Sequence, residues 1–200
     1  MVWLRVIALA VGMVAAAGCV PSVYPIYGQS DLLIDNELVG RWVDSEGKNI
    51  LEFSILDEDG QYRLTYIDEK GQSANFRACL ARFNDLDMFD IYPEADKTAG
   101  NWYYRIHLFP VHTFALVQSR KPNLEVAFIN PEWLKERLRE EPGALAHVRV
   151  GDAVLITATT LELQRFVAGC AQRPRAFGKP IIWRRISEEI PPALNSYEKL

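Results

Sequence analysis

Two of the three histidines are close enough in the sequence to share a chemical role. His107 and His112 lie on a segment that Pro110 interrupts. Imidazole is a common metal ligand, but a zinc site takes three or four ligands. Asp87 and Asp90 would complete a set only if the fold brought them close, and nothing in their spacing does so. We therefore predict neither a metal nor a cofactor. A hydrolase with His112 and acidic residues in one cleft remains an alternative.

Aromatic side chains gather beside these histidines. Trp102, Tyr103 and Tyr104 are consecutive, so they cannot all face the core of an extended strand. Aromatic rings that carry a polar group are typical of ligand mouths and protein interfaces. We predict that this cluster and His112 form a surface for a ligand or a protein partner. The alternative is that the same rings only cap the core.

The beginning of the chain has the composition of an export signal. Arg5 is the only charged residue before Asp31, and an apolar stretch extends from Val6 to Ala17. A basic start, an apolar stretch of about a dozen residues and then small side chains are the pattern of a secretory signal. The stretch is shorter than the about 20 apolar residues that a transmembrane helix needs.

The small residues end in Ala16-Ala17-Gly18-Cys19, which resembles the lipobox of bacterial lipoproteins. The resemblance implies a signal peptide over residues 1–18 and acyl chains, such as palmitate, on Cys19. Two or three chains would hold firmly, because each buried methylene contributes about 0.8 kcal/mol. In that family Val20, in place of aspartate, implies the outer membrane, facing the periplasm, in a host with two membranes. The alternative is an ordinary export signal followed by chance by a cysteine.

The remaining composition describes one domain and excludes a nucleic-acid binder. From Cys19 onward, 26 acidic residues outnumber 21 basic ones, because the 22 Lys and Arg of the chain include Arg5. A nucleic-acid binder carries a basic surface instead. We predict a lipidated tether over residues 19–30, a single β-rich domain over 31–186 and a flexible tail over 187–200.

Apolar residues alternate with polar ones through much of the domain. Leu51, Phe53 and Ile55 set the pattern, which recurs over residues 62–66 and 76–80 between short glycine-containing turns. Such alternation is typical of consecutive antiparallel hairpins. Further strands are predicted at residues 39–43, 88–91, 112–118, 124–129 and 154–156.

Two segments carry helix start signals instead. Asn130-Pro131-Glu132 combines an N-cap residue with proline at the first helical position. Thr159-Thr160-Leu161-Glu162 fits a capping box. These signals predict helices over residues 131–140 and 160–171.

The first strand contains Gly40-Arg41-Trp42, and here the chain resembles lipocalin-like proteins. The resemblance implies an up-and-down barrel in which Trp42 plugs the closed end and Gly40 permits a close backbone approach. It also implies that a late arginine, Arg184 or Arg185, lies across Trp42. We predict a mainly β fold, an antiparallel up-and-down barrel or curled sheet, lipocalin-like, with two helices. As a whole, the mature chain is also similar to bacterial envelope lipoproteins of comparable layout, which implies no activity.

The other two cysteines leave two alternatives open. Cys79 and Cys170 could form a disulfide in an oxidising compartment. Cys170 belongs to an apolar helical stripe, whereas Cys79 alternates out of phase with its apolar neighbours. That difference places them on unlike faces, and two buried thiols are the second alternative.

The predicted function is that of a membrane-anchored envelope lipoprotein that acts as a binding module. One hypothesis is a small apolar ligand held inside the barrel. Its rival is a structural or assembly partner in an envelope protein complex. The sequence has no Gly-x-Ser-x-Gly and no phosphate-binding glycine loop, which favours a protein that is not an enzyme. A wide apolar interior would indicate a ligand, and a filled interior with an exposed aromatic patch would indicate a partner.

Overall fold

The computed structural model describes residues 19–56, 60–94 and 109–186. Within these ranges the strands are β1 (Leu32–Leu33), β2 (Gly40–Asp44), β3 (Ile50–Ile55), β4 (Gln61–Ile67), β5 (Ser73–Phe83), β6 (Leu86–Pro93), β7 (Thr113–Ser119), β8 (Asn123–Phe128), β9 (His147–Val150), β10 (Ala153–Ile156) and β11 (Ile181–Arg185). The helices are α1 (Pro131–Glu140) and α2 (Thr160–Cys170), with short 3-10 helices at Gln29–Asp31, Asn36–Leu38 and Pro142–Ala144.

Eight strands close into an antiparallel barrel in the order β2-β3-β4-β5-β6-β7-β8-β11. Strand β11 completes it by pairing with β8 on one side and β2 on the other. The prediction of a mainly β, lipocalin-like antiparallel barrel with two helices is confirmed. The predicted strand at residues 154–156 exists as β10, but it pairs with β9 in a separate hairpin. The last barrel strand is instead β11. Its outward-facing residue Ile182 is apolar, so the apolar-polar alternation that would have predicted a strand is missing there.

Both helices begin where their start signals predict. The side-chain oxygen of Asn130 accepts hydrogen bonds from the backbone N–H groups of Glu132 and Trp133. Thr159 and Glu162 form the reciprocal bonds of a capping box. Within the described ranges, no helix has both the length and the apolarity needed to cross a bilayer.

The antiparallel register gives the barrel two distinct ends. We call one the closed end: there the 3-10 helix Asn36–Leu38 precedes β2, and a turn joins β7 to β8. The other is the open end, where turns join β2 to β3 and β4 to β5. At the open end the chain leaves β6 at Pro93 and enters β7 at Thr113.

Trp42 and Arg185 seal the closed end. Trp42 is 1% exposed, and its indole N–H donates to the carbonyl of Leu38 over 2.9 Å. The guanidinium carbon of Arg185, rather than that of Arg184, lies 4.4 Å from the centre of the Trp42 ring. Gly40 has a φ of +125°, and a Cβ there would lie 2.8 Å from Nη1 of Arg185. Glycine suits this positive φ, and its missing side chain leaves room for the guanidinium over the ring.

A second core lies outside the barrel wall. Met88 of β6 and Phe114 of β7 face away from the barrel interior and are buried under the two helices. Leu134 and Leu138 of α1 and Leu163 and Val167 of α2 cover them. The same core also contains Val20, Ile26, Phe83, Ile129, Leu145, Val154, Ile156 and Ala158. Each face of this part of the wall is thus buried, which explains why Met88 and Phe114 interrupt the apolar-polar alternation.

The N-terminal segment belongs to this second core. Ser22 is fully buried and exchanges two backbone hydrogen bonds with His112, of 2.9 and 2.8 Å. The N–H of Val23 donates to the carbonyl of Ile156 over 2.9 Å. The prediction that residues 19–30 form a tether is therefore wrong for this segment. The buried side chains of Val20 and Ile26, which flank Pro21 and Pro25, dock it on the domain, and composition alone does not indicate this. We call residues 20–31 the strap.

A buried carboxylate fastens the strap to the barrel wall. Asp90 is 2% exposed, and its Oδ2 accepts a hydrogen bond from the N–H of Ile26 over 2.9 Å. Its Oδ1 lies 2.6 Å from Nδ1 of His112. From α2, Thr160 donates to the carbonyl of Pro25, and Gln164 donates to that of Ile26. Three side chains from two elements, β6 and α2, thus hold one short stretch of backbone.

The two remaining cysteines are buried thiols that are not bonded to each other. Cys79 lies on β5 and Cys170 at the end of α2. Burial raises the pKa of the Cys170 thiol to about 11, which leaves it protonated at neutral pH. The pKa of Tyr27 in the strap is also raised, mainly by burial and secondly by a hydrogen bond with Cys79. Both groups are therefore neutral packing elements under ordinary conditions.

We predict that Trp42→Ala lowers the free energy of unfolding by about 3–5 kcal/mol, the range for emptying a large buried aromatic site. Urea denaturation measures the change. Trp133→Ala, on the half-buried face of α1, is the matched control and should cost less. Equal losses in the two variants would contradict the role of Trp42 as the plug of the closed end.

We predict that Asp90→Ala loosens the strap. It leaves the Ile26 N–H and the His112 ring without their acceptor, and an unsatisfied buried group costs about 1–3 kcal/mol. Amide hydrogen exchange at Ile26 should accelerate well beyond that of the barrel strands. Asp152→Ala, on the exposed turn between β9 and β10, is the control. Unchanged exchange at Ile26 in the Asp90 variant would show that the carboxylate does not hold the strap.

Candidate functional site

Side chains fill the barrel interior near its closed end. Phe53 of β3 and Phe89 of β6 reach across the interior and stack, with ring centres 5.8 Å apart. Tyr62 packs edge-on against Phe53. Rings from facing walls that touch leave no room for a ligand at this level. The filling residues are Leu38, Trp42, Phe53, Tyr62, Leu64, Ala78, Leu80, Phe89, Ala115, Val117, Leu124, Val126 and Trp183.

Nearer the open end, the inward-facing side chains are only half-buried. Tyr66, Phe76, Ile91 and Phe128 come from four different strands and pack on top of the filled interior. Each of these four side chains keeps part of its surface accessible. Together with Trp183 they form a partly exposed apolar layer at the open end, which we call the barrel mouth.

Trp183 contributes the one buried side-chain polar atom without a hydrogen-bond partner among the residues that the structure describes. The residue is 7% exposed, and its indole N–H is buried with no acceptor among the described residues. A buried indole N–H usually has a partner, and leaving such a donor unpaired costs about 1–3 kcal/mol. Trp183 faces inward between Leu124 of β8 and Asp44 of β2. The arrangement offers a hydrogen-bond donor to an acceptor that enters the mouth.

The polar residues on the rim satisfy one another. The side chain of Asn49 donates to Oδ2 of Asp44 over 2.5 Å, and the N–H of Lys48 donates to Oδ1 over 2.8 Å. The hydroxyl of Tyr66 donates to Oδ1 of Asn49 over 2.9 Å. Burial opposes ionisation of Asp44, but these donated bonds outweigh it and hold its pKa below the usual range. Asp44 is therefore an ionised turn residue rather than a general base.

His112 lies on the outer wall of the barrel, beside the mouth rather than in it. Its ring is held by Asp90 and lies over Tyr92, with ring centres 4.5 Å apart. A carboxylate that orients a histidine is the arrangement of a hydrolase, which also needs a nucleophile. The nearby Ser22 is fully buried and donates its hydroxyl to the carbonyl of Tyr24. This geometry fits fastening of the strap better than catalysis.

The remaining predicted site residues divide into two groups. Trp102, Tyr103, Tyr104 and His107 lie outside the described residues, so their role remains a prediction. Cys19 is exposed at the beginning of the strap. Over residues 19–56, 60–94 and 109–186, no group of three or more His, Cys, Asp or Glu side chains could hold a metal ion.

Sequence reasoning did not identify the residues of the mouth. The alternation indicates that Tyr66 and Phe76 face inward, but alternation carries no information on depth along the barrel. Trp183 was missed altogether, since its strand was not predicted. The pattern Ile181-x-Trp183-x-Arg185 was the available signal: if Arg185 covers Trp42, the residue two positions earlier must also face inward.

A separate groove of about 460 Å³ lies between α1 and the β9–β10 hairpin. Basic and acidic side chains alternate along it, among them Lys135, Arg139, Arg149, Glu136 and Asp152. Lys135 is already paired with Glu132 over 2.7 Å. With its opposite charges balanced and few apolar groups, the groove has the character of a solvated surface.

Comparison with known proteins adds no assignment to this geometry. The chain matches no model of a known protein family, no curated protein and no solved structure. The functional conclusion therefore depends on the described residues themselves.

Proposed function

We propose that this chain is an exported envelope lipoprotein, anchored through Cys19, whose barrel mouth binds a small and largely apolar molecule. The observation that carries the binding proposal is the buried indole N–H of Trp183, which has no acceptor among the described residues. The ligand would bring one hydrogen-bond acceptor to this donor and lay its apolar part on the neighbouring rings. The proposed location is the outer membrane on its periplasmic side, in a host with two membranes.

The filled interior limits the size of the proposed ligand. The stacked Phe53 and Phe89 stop any molecule that enters from the open end. A ligand would therefore lie across Tyr66, Phe76, Ile91 and Phe128 rather than descend along the barrel axis. Its apolar part would contribute about 25 cal/mol for each Å² removed from water. An acyl chain or a small ring system fits such a partly exposed site, whereas a ligand wholly enclosed by the barrel does not.

The filled interior and an exposed aromatic ring, the two features that the sequence analysis assigned to a partner, favour a second function, the docking of an envelope protein. Phe109 is 70% exposed and precedes β7 at the open end. A protein partner could cover this ring and the mouth together. Such a partner would need no acceptor beside Trp183, so the indole N–H separates the two functions.

We predict that Trp183→Phe weakens binding of laurate about 13- to 160-fold, the effect of losing one hydrogen bond to a charged carboxylate, worth about 1.5–3 kcal/mol. Phenylalanine keeps an aromatic ring but has no N–H. Binding of N-phenyl-1-naphthylamine, an apolar probe without a strong acceptor, should change little. Isothermal titration calorimetry measures the first ligand and probe fluorescence the second.

The matched control is Trp133→Phe on α1, outside the mouth, which should leave both affinities unchanged. If the wild-type chain binds neither laurate nor the naphthylamine, the ligand proposal fails and protein docking takes its place. If Trp183→Phe binds laurate as tightly as wild type, the indole N–H is not the recognition group.

We predict that Cys19→Ala releases the chain from the membrane, because no thiol remains to carry acyl chains. Phase separation in Triton X-114 measures the change: the wild type should enter the detergent phase and the variant the aqueous phase. Cys170→Ala, which alters a buried thiol, is the control. Equal partitioning of wild type and Cys19→Ala would refute the lipoprotein proposal.

A further inference from the structure

We infer that one face of a small sheet around the strap is a membrane-contact surface, which lies against the lipid headgroups beside Cys19. The inference rests on the anchor of the proposed function and is independent of any ligand at the barrel mouth. It assigns a role to the side of the domain that carries the strap, and it commits to one occupant for that surface, a phospholipid bilayer.

The strap is the central part of this small sheet. Ser22 exchanges backbone hydrogen bonds with His112 on one side and pairs in parallel with Ile156 on the other. Ile156 ends β10, which pairs in turn with β9. The order across the sheet is therefore residues 111–112, residues 21–23, β10 and β9. We call these four segments the strap sheet.

The two faces of the strap sheet differ in burial. Ser22 and Ile156 are fully buried and Val154 is 6% exposed, so these side chains point into the domain. Successive side chains of a strand point to opposite faces, and the other face carries the neighbours of these residues. They are Pro21, Val23, Val111, Leu155 and Val148, the last of which pairs with Leu155. All five are apolar, and each is half-buried or exposed, Val148 by 47%.

The segments that form this face bring no charged side chain to it. No Asp, Glu, Lys or Arg occurs in residues 19–30, 109–119 and 153–158. In β9, His147 pairs with Ile156 and Arg149 pairs with Val154, so both ionisable side chains belong to the opposite face. Moving a charged group from water to lipid is costly. An apolar face built from uncharged segments therefore has the composition that contact with a bilayer requires.

Exposed aromatic rings flank the face on the same segments. Tyr24 in the strap is 47% exposed, and Phe109, which precedes residue 111, is 70% exposed. Tyrosine is enriched where a bilayer meets water, because its ring is apolar and its hydroxyl is polar. Exposed apolar side chains occur elsewhere as well: Ile34 is 50% exposed, but the charged residue Asp35 follows it. The strap sheet differs because it combines a continuous apolar face with uncharged segments.

The chain that precedes the face identifies its occupant. The apolar stretch from Val6 to Ala17 ends two residues before Cys19, and Cys19 is the proposed site of acylation. Three residues of extended chain span at most about 11 Å, so Cys19 lies within that distance of Ser22. Acyl chains on Cys19 would thus hold the bilayer directly beside the strap sheet. A protein partner has no comparable link to this face.

The experiment locates two spin labels in the full-length lipidated protein, reconstituted in vesicles of phosphatidylethanolamine and phosphatidylglycerol. Val148→Cys carries a label on the face. Ile34→Cys is the matched control, since this residue is also apolar and is equally exposed. Oxygen relaxes labels that lie in lipid, and a water-soluble nickel chelate relaxes labels that lie in water. We expect oxygen to dominate at residue 148 and the chelate to dominate at residue 34. Dominance of the chelate at both positions would overturn the inference.

A second measurement separates the affinity of the face from the short link to Cys19. An insert of about 12 glycine and serine residues between Cys19 and Val20 spans about 20 Å on average and removes the geometric constraint. A label on Ala153→Cys, an exposed position on the same face, should remain in lipid. Adding Val148→Asp should transfer this label to water, because a carboxylate is costly to bury, whereas adding Ile34→Asp should not. Transfer to water by the insert alone would show that the face has no affinity for lipid and would overturn the inference.

The outcomes separate this inference from the proposed function. If the wild type enters the vesicles but the chelate reaches the label at residue 148, the surface inference fails and the anchor stands. If that label is exposed in vesicles and shielded only in native envelope membranes, the face belongs to a protein partner instead. If the wild type does not associate with vesicles, the anchor and the inference fail together. If the label lies in lipid but laurate does not bind, only the ligand proposal fails.

Discussion

The backbone ladder of β11 is the interaction on which the rest of the structure depends. A sheet of seven strands has two edges whose N–H and C=O groups need partners, and β11 satisfies both by pairing with β8 and β2. The same five residues equip the two ends of the barrel. Trp183 faces inward beneath the mouth, and Arg185 crosses Trp42 at the closed end. One short strand, which follows both helices in the sequence, thus closes the barrel, seals its closed end and supplies the indole N–H of Trp183.

The two helices and the strap occupy one side of this barrel. Because β6 and β7 bury residues on both faces, that side of the wall is rigid and cannot face solvent. The strap passes over it and is held by Asp90, α2 and His112. The opposite side, formed by β2, β3 and β4, exposes charged residues such as Arg41, Glu52 and Arg63. The domain is therefore asymmetric, with the strap and the second core on the same side.

Local patterns predicted the elements better than their arrangement. The hairpins over residues 50–83 follow from alternation, and both helix starts follow from their caps, because these signals act between near neighbours. The pairing of the 154–156 strand and the docking of the strap could not be predicted in the same way. Both depend on pairing between distant segments, as in the contact of Ser22 with His112 and Ile156. The mouth was missed for a related reason: it is defined by depth in a closed barrel, which exists only after β11 has paired.

The strap has a consequence for the order of events during biogenesis. Its partners lie about 90 and 134 residues downstream, at His112 and Ile156, so in the proposed exported protein it could not dock until most of the chain had emerged from the export channel. Contacts of such long sequence separation form late in folding. Enzymes that process the proposed lipobox need the residues around Cys19 extended and accessible, whereas docking buries Val20. Lipid attachment would thus have a time window that the fold itself closes, and a mutation that hastens docking of the strap would compete with maturation rather than with binding.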